Sequence, residues 1–178
     1  MHRIALPVML GLALPLYSQA VPTASRAANI QAGIGYTIGR PDYVHRTFPG
    51  ITVYADMDLR PHFGAEAEFH DLVDSGGSQM AEHSYSLGGR YLRSYGPFVP
   101  YAKGMLGLGQ LKYPQGVATL DYWLFAGGAG ADFKLTDRVR LRGEYEYQRW
   151  TGFPNGGLQP QLVTFAIAYH FPAARRRR

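Results

Sequence analysis

From Val139 to Gln148 the chain alternates without a break: Val139, Leu141, Gly143, Tyr145 and Tyr147 occupy the odd positions, and Arg140, Arg142, Glu144, Glu146 and Gln148 the even ones. Successive side chains of a β-strand point to opposite faces, so this pattern predicts a strand with one apolar and one ionic face. The preceding stretch, Asp121 to Phe133, alternates too, with Phe125, Gly127, Ala129, Ala131 and Phe133 on one side. Lys134-Leu135-Thr136-Asp137 joins the two arms as a short polar connection, so they are expected to form an antiparallel hairpin. Placing Phe133 opposite Val139 sets Asp132 against Arg140, Gly130 against Arg142 and Gly128 against Glu144. Ionic residues are not buried without partners, and a row of valine, leucine and tyrosine does not face water. Two environments satisfy both faces: the wall of a membrane barrel around a polar interior, or a soluble sheet covering a core.

The same division of faces recurs from Asn29 to Phe171. Expected strands run over about 29–38, 51–59, 63–71, 84–93, 99–110, 121–133, 139–150 and 162–171, which makes an even number. Pro100 predicts that the first residues of the fifth strand are frayed or unpaired. The connections after strands two, four and six are tight: Arg60 to His62, Ser94 to Phe98, and Lys134 to Asp137. Those after one, three, five and seven are longer: Gly39 to Gly50, Leu72 to His83, Leu111 to Asp121, and Thr151 to Gln161. Such alternation sets all short turns at one end of the sheet and all long loops at the other, as in outer-membrane barrels. Strands near ten residues match the ~9–11 needed to cross a bilayer at a tilt. The expected fold is therefore all-β: an eight-stranded antiparallel up-and-down transmembrane β-barrel with short periplasmic turns and longer extracellular loops.

Composition narrows the function classes. The chain of 178 residues holds no cysteine, which removes disulfides, thiolate metal sites and a lipid-modified N-terminal Cys. The formal net charge of +5 comes from the ends. Without Arg3 and Arg175 to Arg178, 18 − 5 = 13 basic residues face 13 acidic ones. Nucleic acid is therefore not an expected partner. Residues 1–20 carry Arg3, an apolar run from Ile4 to Leu16 and the small-x-small site Ser18-Gln19-Ala20, the pattern of a secretory signal peptide. Cleavage after Ala27 fits the same pattern. Residues 21–28 then form a periplasmic N-terminal segment, 29–171 the barrel domain and 172–178 a basic tail, read as solvated and disordered.

On the segments Tyr85 to Tyr91, Pro100 to Gly104, Gly127 to Phe133, Leu141 to Tyr147 and Ala168 to Phe171, the chain resembles the small eight-stranded outer-membrane barrels, the group of the OmpA transmembrane domain, OmpX and NspA. The resemblance spans about 29–171 and implies fold and compartment more than function. It implies location in the outer membrane of a Gram-negative-type bacterium, among outer-membrane lipid and lipopolysaccharide, and insertion by the barrel assembly machinery. It also implies Tyr169 and Phe171 as the terminal-strand assembly signal, although Phe171 is followed here by Pro-Ala-Ala-Arg-Arg-Arg-Arg. Nothing in the sequence corresponds to the peptidoglycan-binding domain that follows the barrel in OmpA, so anchoring to the cell wall is not expected.

The expected interior charges are Asp56, Asp58, Glu66, Glu68, Asp132, Glu144 and Glu146 against Arg90, Lys103, Arg140 and Arg142. Eight strands enclose an interior just wide enough for side chains to fill. The expectation is a salt-bridged plug rather than an ion path, with the surplus acids met by water, His70 or a protonated carboxylate. Glu66 with Glu68, and Glu144 with Glu146, lie two apart on a strand, so their proximity is automatic and no argument for glycoside chemistry. Barrel enzymes that act on lipid A use a Ser/His pair with a carboxylate near the rim; His83-Ser84, the one adjacent pair here, faces two ways. No catalytic residue, metal or cofactor is expected. Tyr36, Tyr85, Tyr91, Trp123, Tyr145, Tyr147, Trp150 and Tyr169 suit interfacial girdles. Tyr43, Phe48, Tyr113 and Phe153 either form an external adhesive surface toward an extracellular partner or pack the loops onto the rim. The alternatives are a lipid-modifying barrel enzyme and a soluble lipocalin-like carrier, whose apolar face points inward.

Overall fold

The computed structural model describes residues 29–74, 76, 80–113, 119–152 and 157–171. The expected signal peptide and segment 21–28, the tail and Phe153 lie outside the described residues. Eight strands follow in chain order: β1 (Asn29–Arg40), β2 (Phe48–Arg60), β3 (Phe63–Val73), β4 (Ala81–Leu92), β5 (Phe98–Lys112), β6 (Thr119–Lys134), β7 (Val139–Thr151) and β8 (Gln161–Phe171). Each pairs antiparallel with the next, and β8 pairs with β1 to close the barrel. The links 61–62, 93–97 and 135–138 lie at one end; at the other are link 41–47 and the strand ends Val73 and Ala81, Lys112 and Thr119, and Thr151 and Gln161. Several strands outrun their expected bounds at the long-loop end, where the β5–β6 ladder continues to Lys112↔Thr119.

Two local expectations are corrected. Pro100 is not frayed: it pairs with Ala131, and its carbonyl accepts from the Arg93 N–H at 3.0 Å. Proline lacks only a donor, and here the ladder uses its acceptor. The β6–β7 hairpin is displaced by two residues from the expected register, with Phe133↔Leu141, Asp132↔Arg142 and Gly130↔Glu144. The turn explains the shift. The Val139 carbonyl accepts from the Leu135 and Thr136 N–H groups, and Thr136 Oγ1 accepts from the Arg138 and Val139 N–H groups, so the first residue of β7 closes the turn and Leu141 comes to lie opposite Phe133.

The faces separate by parity. Leu87, Leu106 and Phe165 point outward with 61–64% of their surface open, whereas Glu66, Asp132 and Glu146 point inward at 0–1%. This is a soluble core turned inside out, the opposite of what a lipocalin-like calyx requires. Tyr36, Tyr85, Tyr91, Trp123, Tyr145, Tyr147 and Tyr169 are outward-facing. Trp150 is not: it shares the parity of Gln148 and is buried inside, so it is no part of a girdle. Phe48 is also buried in the interior, packed with Leu72 and Leu162. Tyr113 packs against the cluster of Leu111, Tyr122 and Trp150. Both clusters close the long-loop end from within, and Leu92, Val99 and Tyr101 form a third at the short-turn end.

Candidate functional site

Between the apolar ends lies a stack of buried ionic side chains, each aimed inward by the pleat of its strand. Arg142 on β7 donates from Nε to Asp132 Oδ1 (2.7 Å), from Nη1 to Glu66 Oε2 (2.8 Å) and from Nη2 to Asp56 Oδ2 (2.6 Å). Its guanidinium also lies 3.8 Å from the centroid of the Tyr54 ring. Arg90 on β4 reaches Asp132 Oδ2 (2.9 Å), Glu66 Oε2 (3.2 Å) and Asp56. The planar fork of arginine suits such shared carboxylates, and stacking on tyrosine covers faces that cannot hydrogen-bond. Gln31 donates to both Asp56 (3.0 Å) and Asp132 (3.1 Å), joining β1 to the cluster.

A second cluster surrounds Lys103 on β5. Its Nζ lies 3.0 Å from Glu66 Oε1, 2.7 Å from Glu144 Oε1 and 2.8 Å from Glu146 Oε2, and also contacts Glu68 Oε2. Glu66 therefore bridges the lysine and arginine clusters. Tyr101 donates to Glu144. Above this lies His70, whose Nε2 is 3.4 Å from Glu68 Oε1 and 3.7 Å from Glu146 Oε1. Its Nδ1 is 2.6 Å from Thr52 Oγ1; Thr52 bonds Thr37, and Thr37 bonds Thr164 at 2.8 Å. Gln148 donates to Glu146 Oε1 (2.7 Å) and accepts from Trp150 Nε1 (2.8 Å), tying the polar stack to the apolar lid.

Of the expected interior charges, Asp56, Glu66, Glu68, Arg90, Lys103, Asp132, Arg142, Glu144 and Glu146 are brought together. Asp58 and Arg140 stand apart at the short-turn end: neither belongs to the described ion pairs, and Asp58 Oδ1 is buried without a hydrogen-bond partner. They sit one step beyond the layer that Arg90 and Arg142 span. Gln31, Tyr54, Tyr101, Gln148 and Trp150 belong to the stack although none is ionic at neutral pH; strand parity was the signal for them. Room for the rings comes from glycine. A Cβ at Gly33 would lie 2.5 Å from the Tyr54 ring, and one at Gly109 2.5 Å from that of Trp150.

Residues 5–171 match the outer membrane protein β-barrel domain. The chain belongs to this family. The barrel superposes on neisserial surface protein A (NspA) with a TM-score of 0.68 at 12% identity, covering 81% of this chain and 97% of that one. It is similar to Ail of Yersinia pestis, solved with the heparin analogue sucrose octasulfate (TM-score 0.59, 17% identity, 81% and 99% covered). It is also similar to the N-terminal barrel of Pseudomonas aeruginosa OprF (0.58, 12%, 81% and 99%). At these identities the likeness is one of fold. No curated protein matches the sequence.

Nothing in the barrel's geometry builds an accessible nucleophile from the His83-Ser84 pair. His83 Nδ1 lies 3.2 Å from Asp71 on the outward side, while Ser84 points inward, 3.5 Å from Gln148 Nε2. Thr52, His70 and Glu68 follow the hydroxyl–imidazole–carboxylate order of an acyl-transfer relay, but all three are buried in the stack, where an ester would have to displace the lid. At the long-loop mouth of the bore, Tyr43 donates to Oε1 of the inward-facing Glu82 at 2.5 Å, tying loop 41–47 to β4. Burial, followed by the neighbouring Glu82 carboxylate, pushes the Tyr43 phenol above its ordinary pKa, so it remains a donor.

Proposed function

We propose that the protein is a non-enzymatic integral outer-membrane barrel, with a structural or surface-interaction role carried by its long loops and an interior plugged by its charge network. The ion lattice carries this reading. Arg90, Lys103 and Arg142 reach carboxylates on β2, β3, β6 and β7, so the chain's own groups occupy the path that ions would take. Export through a cleaved signal peptide brings the chain to the periplasm, where the assembly machinery reads Tyr169 and Phe171. These rings pack edge-on with centroids 4.9 Å apart on the outward face of β8. In the membrane the apolar belt meets lipid, and exposed Arg40, Arg46, Lys112 and Arg149 at the long-loop end suit the phosphates of lipopolysaccharide.

The test is conductance across a planar bilayer of barrel shown to be folded by heat-modifiable gel migration. Steady baseline current is expected, and discrete open-channel steps would overturn the plug. A protein that stays monomeric and soluble without detergent would overturn the membrane assignment itself.

A further inference from the structure

The interior stack holds more negative charge than its own cations offset. Asp56, Glu66, Glu68, Asp132, Glu144 and Glu146 make six carboxylates, against three cations, Arg90, Lys103 and Arg142. The surplus is most pointed beside His70. Glu68 and Glu146 each spend Oε2 on Lys103 and turn Oε1 toward His70 Nε2. That nitrogen is buried and makes no hydrogen bond, although two carboxylate oxygens lie 3.4 and 3.7 Å away. Those separations are long for hydrogen bonds, yet close to the edges of a tetrahedron. With bonds of ~2.0–2.2 Å to nitrogen and oxygen, ligand atoms around zinc stand roughly 3.3–3.6 Å apart.

We propose that Glu68 Oε1, His70 Nε2 and Glu146 Oε1 form a binding site for one divalent transition-metal ion, with Zn²⁺ the best match. Glu68, His70 and Glu146 each bring a ligand atom within 4.8 Å of the other two, and they come from two strands, β3 and β7, on either side of the bore. Imidazole with carboxylates is an established zinc donor set and leaves a fourth position open. The surroundings are those of a metal-bound histidine. Nδ1 faces the Thr52 hydroxyl at 2.6 Å, so a proton on Nδ1 turns the Nε2 lone pair toward the two oxygens. Gln148 holds Glu146 Oε1 from the lid side at 2.7 Å. A dication here offsets two of the surplus charges, and Lys103 on the far oxygens keeps both carboxylates aimed.

The site lies beneath the apolar lid, so metal is added while the mature chain folds into detergent or lipid, and excess is then stripped on a chelating resin. Element analysis is expected to find about one Zn²⁺ per folded barrel. Co²⁺ loaded the same way should give the strong visible absorption of a four-coordinate site. His70→Gln should bring retained metal to background, while His45→Gln, at an exposed loop position, should leave it unchanged. Thr52→Val, which removes the support behind the imidazole, should weaken metal affinity about 10- to 100-fold. If His70→Gln fails to shift on boiling and so is not folded, the wild-type Co²⁺ spectrum decides alone. Folded wild type that retains no metal, shows only the weak absorption of six-coordinate Co²⁺, or loses metal with His45→Gln would overturn the site. Conductance does not enter this measurement, so the plug and the metal site fail separately.

Discussion

Replacing Lys103 by methionine keeps most of the side-chain volume and removes the charge that four carboxylates share. At an effective dielectric near 20, a unit pair 2.7–3.0 Å apart attracts by about 6 kcal/mol before desolvation, and Lys103 makes such contacts with Glu66, Glu144 and Glu146 as well as touching Glu68. Most of that gross attraction is offset in the wild type by stripping water from the ammonium and by repulsion among the acids. The variant loses the attraction but keeps the repulsion. Removing one partner of a buried ion pair costs ~3–5 kcal/mol, so the folding equilibrium should fall by about 150- to 5,000-fold. Urea titration of the barrel in lipid vesicles, with folded fraction read from unboiled gel mobility, measures this directly. Lys112→Met, at an exposed position, should stay within ~0.5 kcal/mol of wild type. Combining Lys103→Met with Glu68→Gln and Glu146→Gln should recover more than half of the loss. A single variant within ~1 kcal/mol of wild type, or a triple variant worse than the single, would refute the reasoning.

Other perturbations probe the wall, the packing and the loops. Leu106→Arg places a charge on the outward face midway along β5 and should cost ~2–4 kcal/mol in a bilayer; a cost near zero in the same titration would mean that this face meets water. Gly109→Ala drives a Cβ to 2.5 Å from the Trp150 ring and should cost ~1–3 kcal/mol, a loss that Trp150→Leu in the same chain should relieve. Tyr43→Phe removes the donor to Glu82, costing ~0.5–1.5 kcal/mol of local stability, and should speed protease cleavage within 41–47 on intact cells; unchanged cleavage would show that the bond does not hold the loop.

The fold was legible because parity in a membrane barrel is doubly enforced: lipid rejects charge on one face, and the narrow bore rejects unpaired apolar bulk on the other. That is why Glu66, Glu68, Asp132, Arg142, Glu144 and Glu146 could be placed inside without coordinates. Parity was silent where it counts only residue type. Trp150 reads as an interfacial aromatic until its spacing from Gln148 is weighed, and Phe48 reads as a loop residue until β2 is extended to include it. The separation of Asp58 and Arg140 from the network was beyond alternation altogether, since it depends on how far along the bore each guanidinium reaches. His70 was visible only as one candidate for the surplus charge. Its position between Glu68 and Glu146 follows from the β3 and β7 placements, which meet only across the closed barrel.

The hairpin displacement shows what the ions contribute that alternation cannot. A slip of one residue would turn every side chain of a strand to the wrong face, so the hydrophobic pattern alone forbids it. A slip of two restores both faces and costs nothing in burial. In the expected register Asp132 would oppose Arg140; in the observed one it opposes Arg142, whose Nε donates to it at 2.7 Å while the same guanidinium reaches Glu66 and Asp56. Two residues correspond to about 7 Å along a strand, more than a charge-assisted hydrogen bond tolerates, so a slip would break these contacts together. Asp132 also takes Arg90, which ties the choice on β6 and β7 to the position of β4. The buried charges thus discriminate among registers that are equal by hydrophobicity. Their value lies in selecting one closed barrel from near-degenerate ones, a use of buried ion pairs that holds even where their net stabilisation is small.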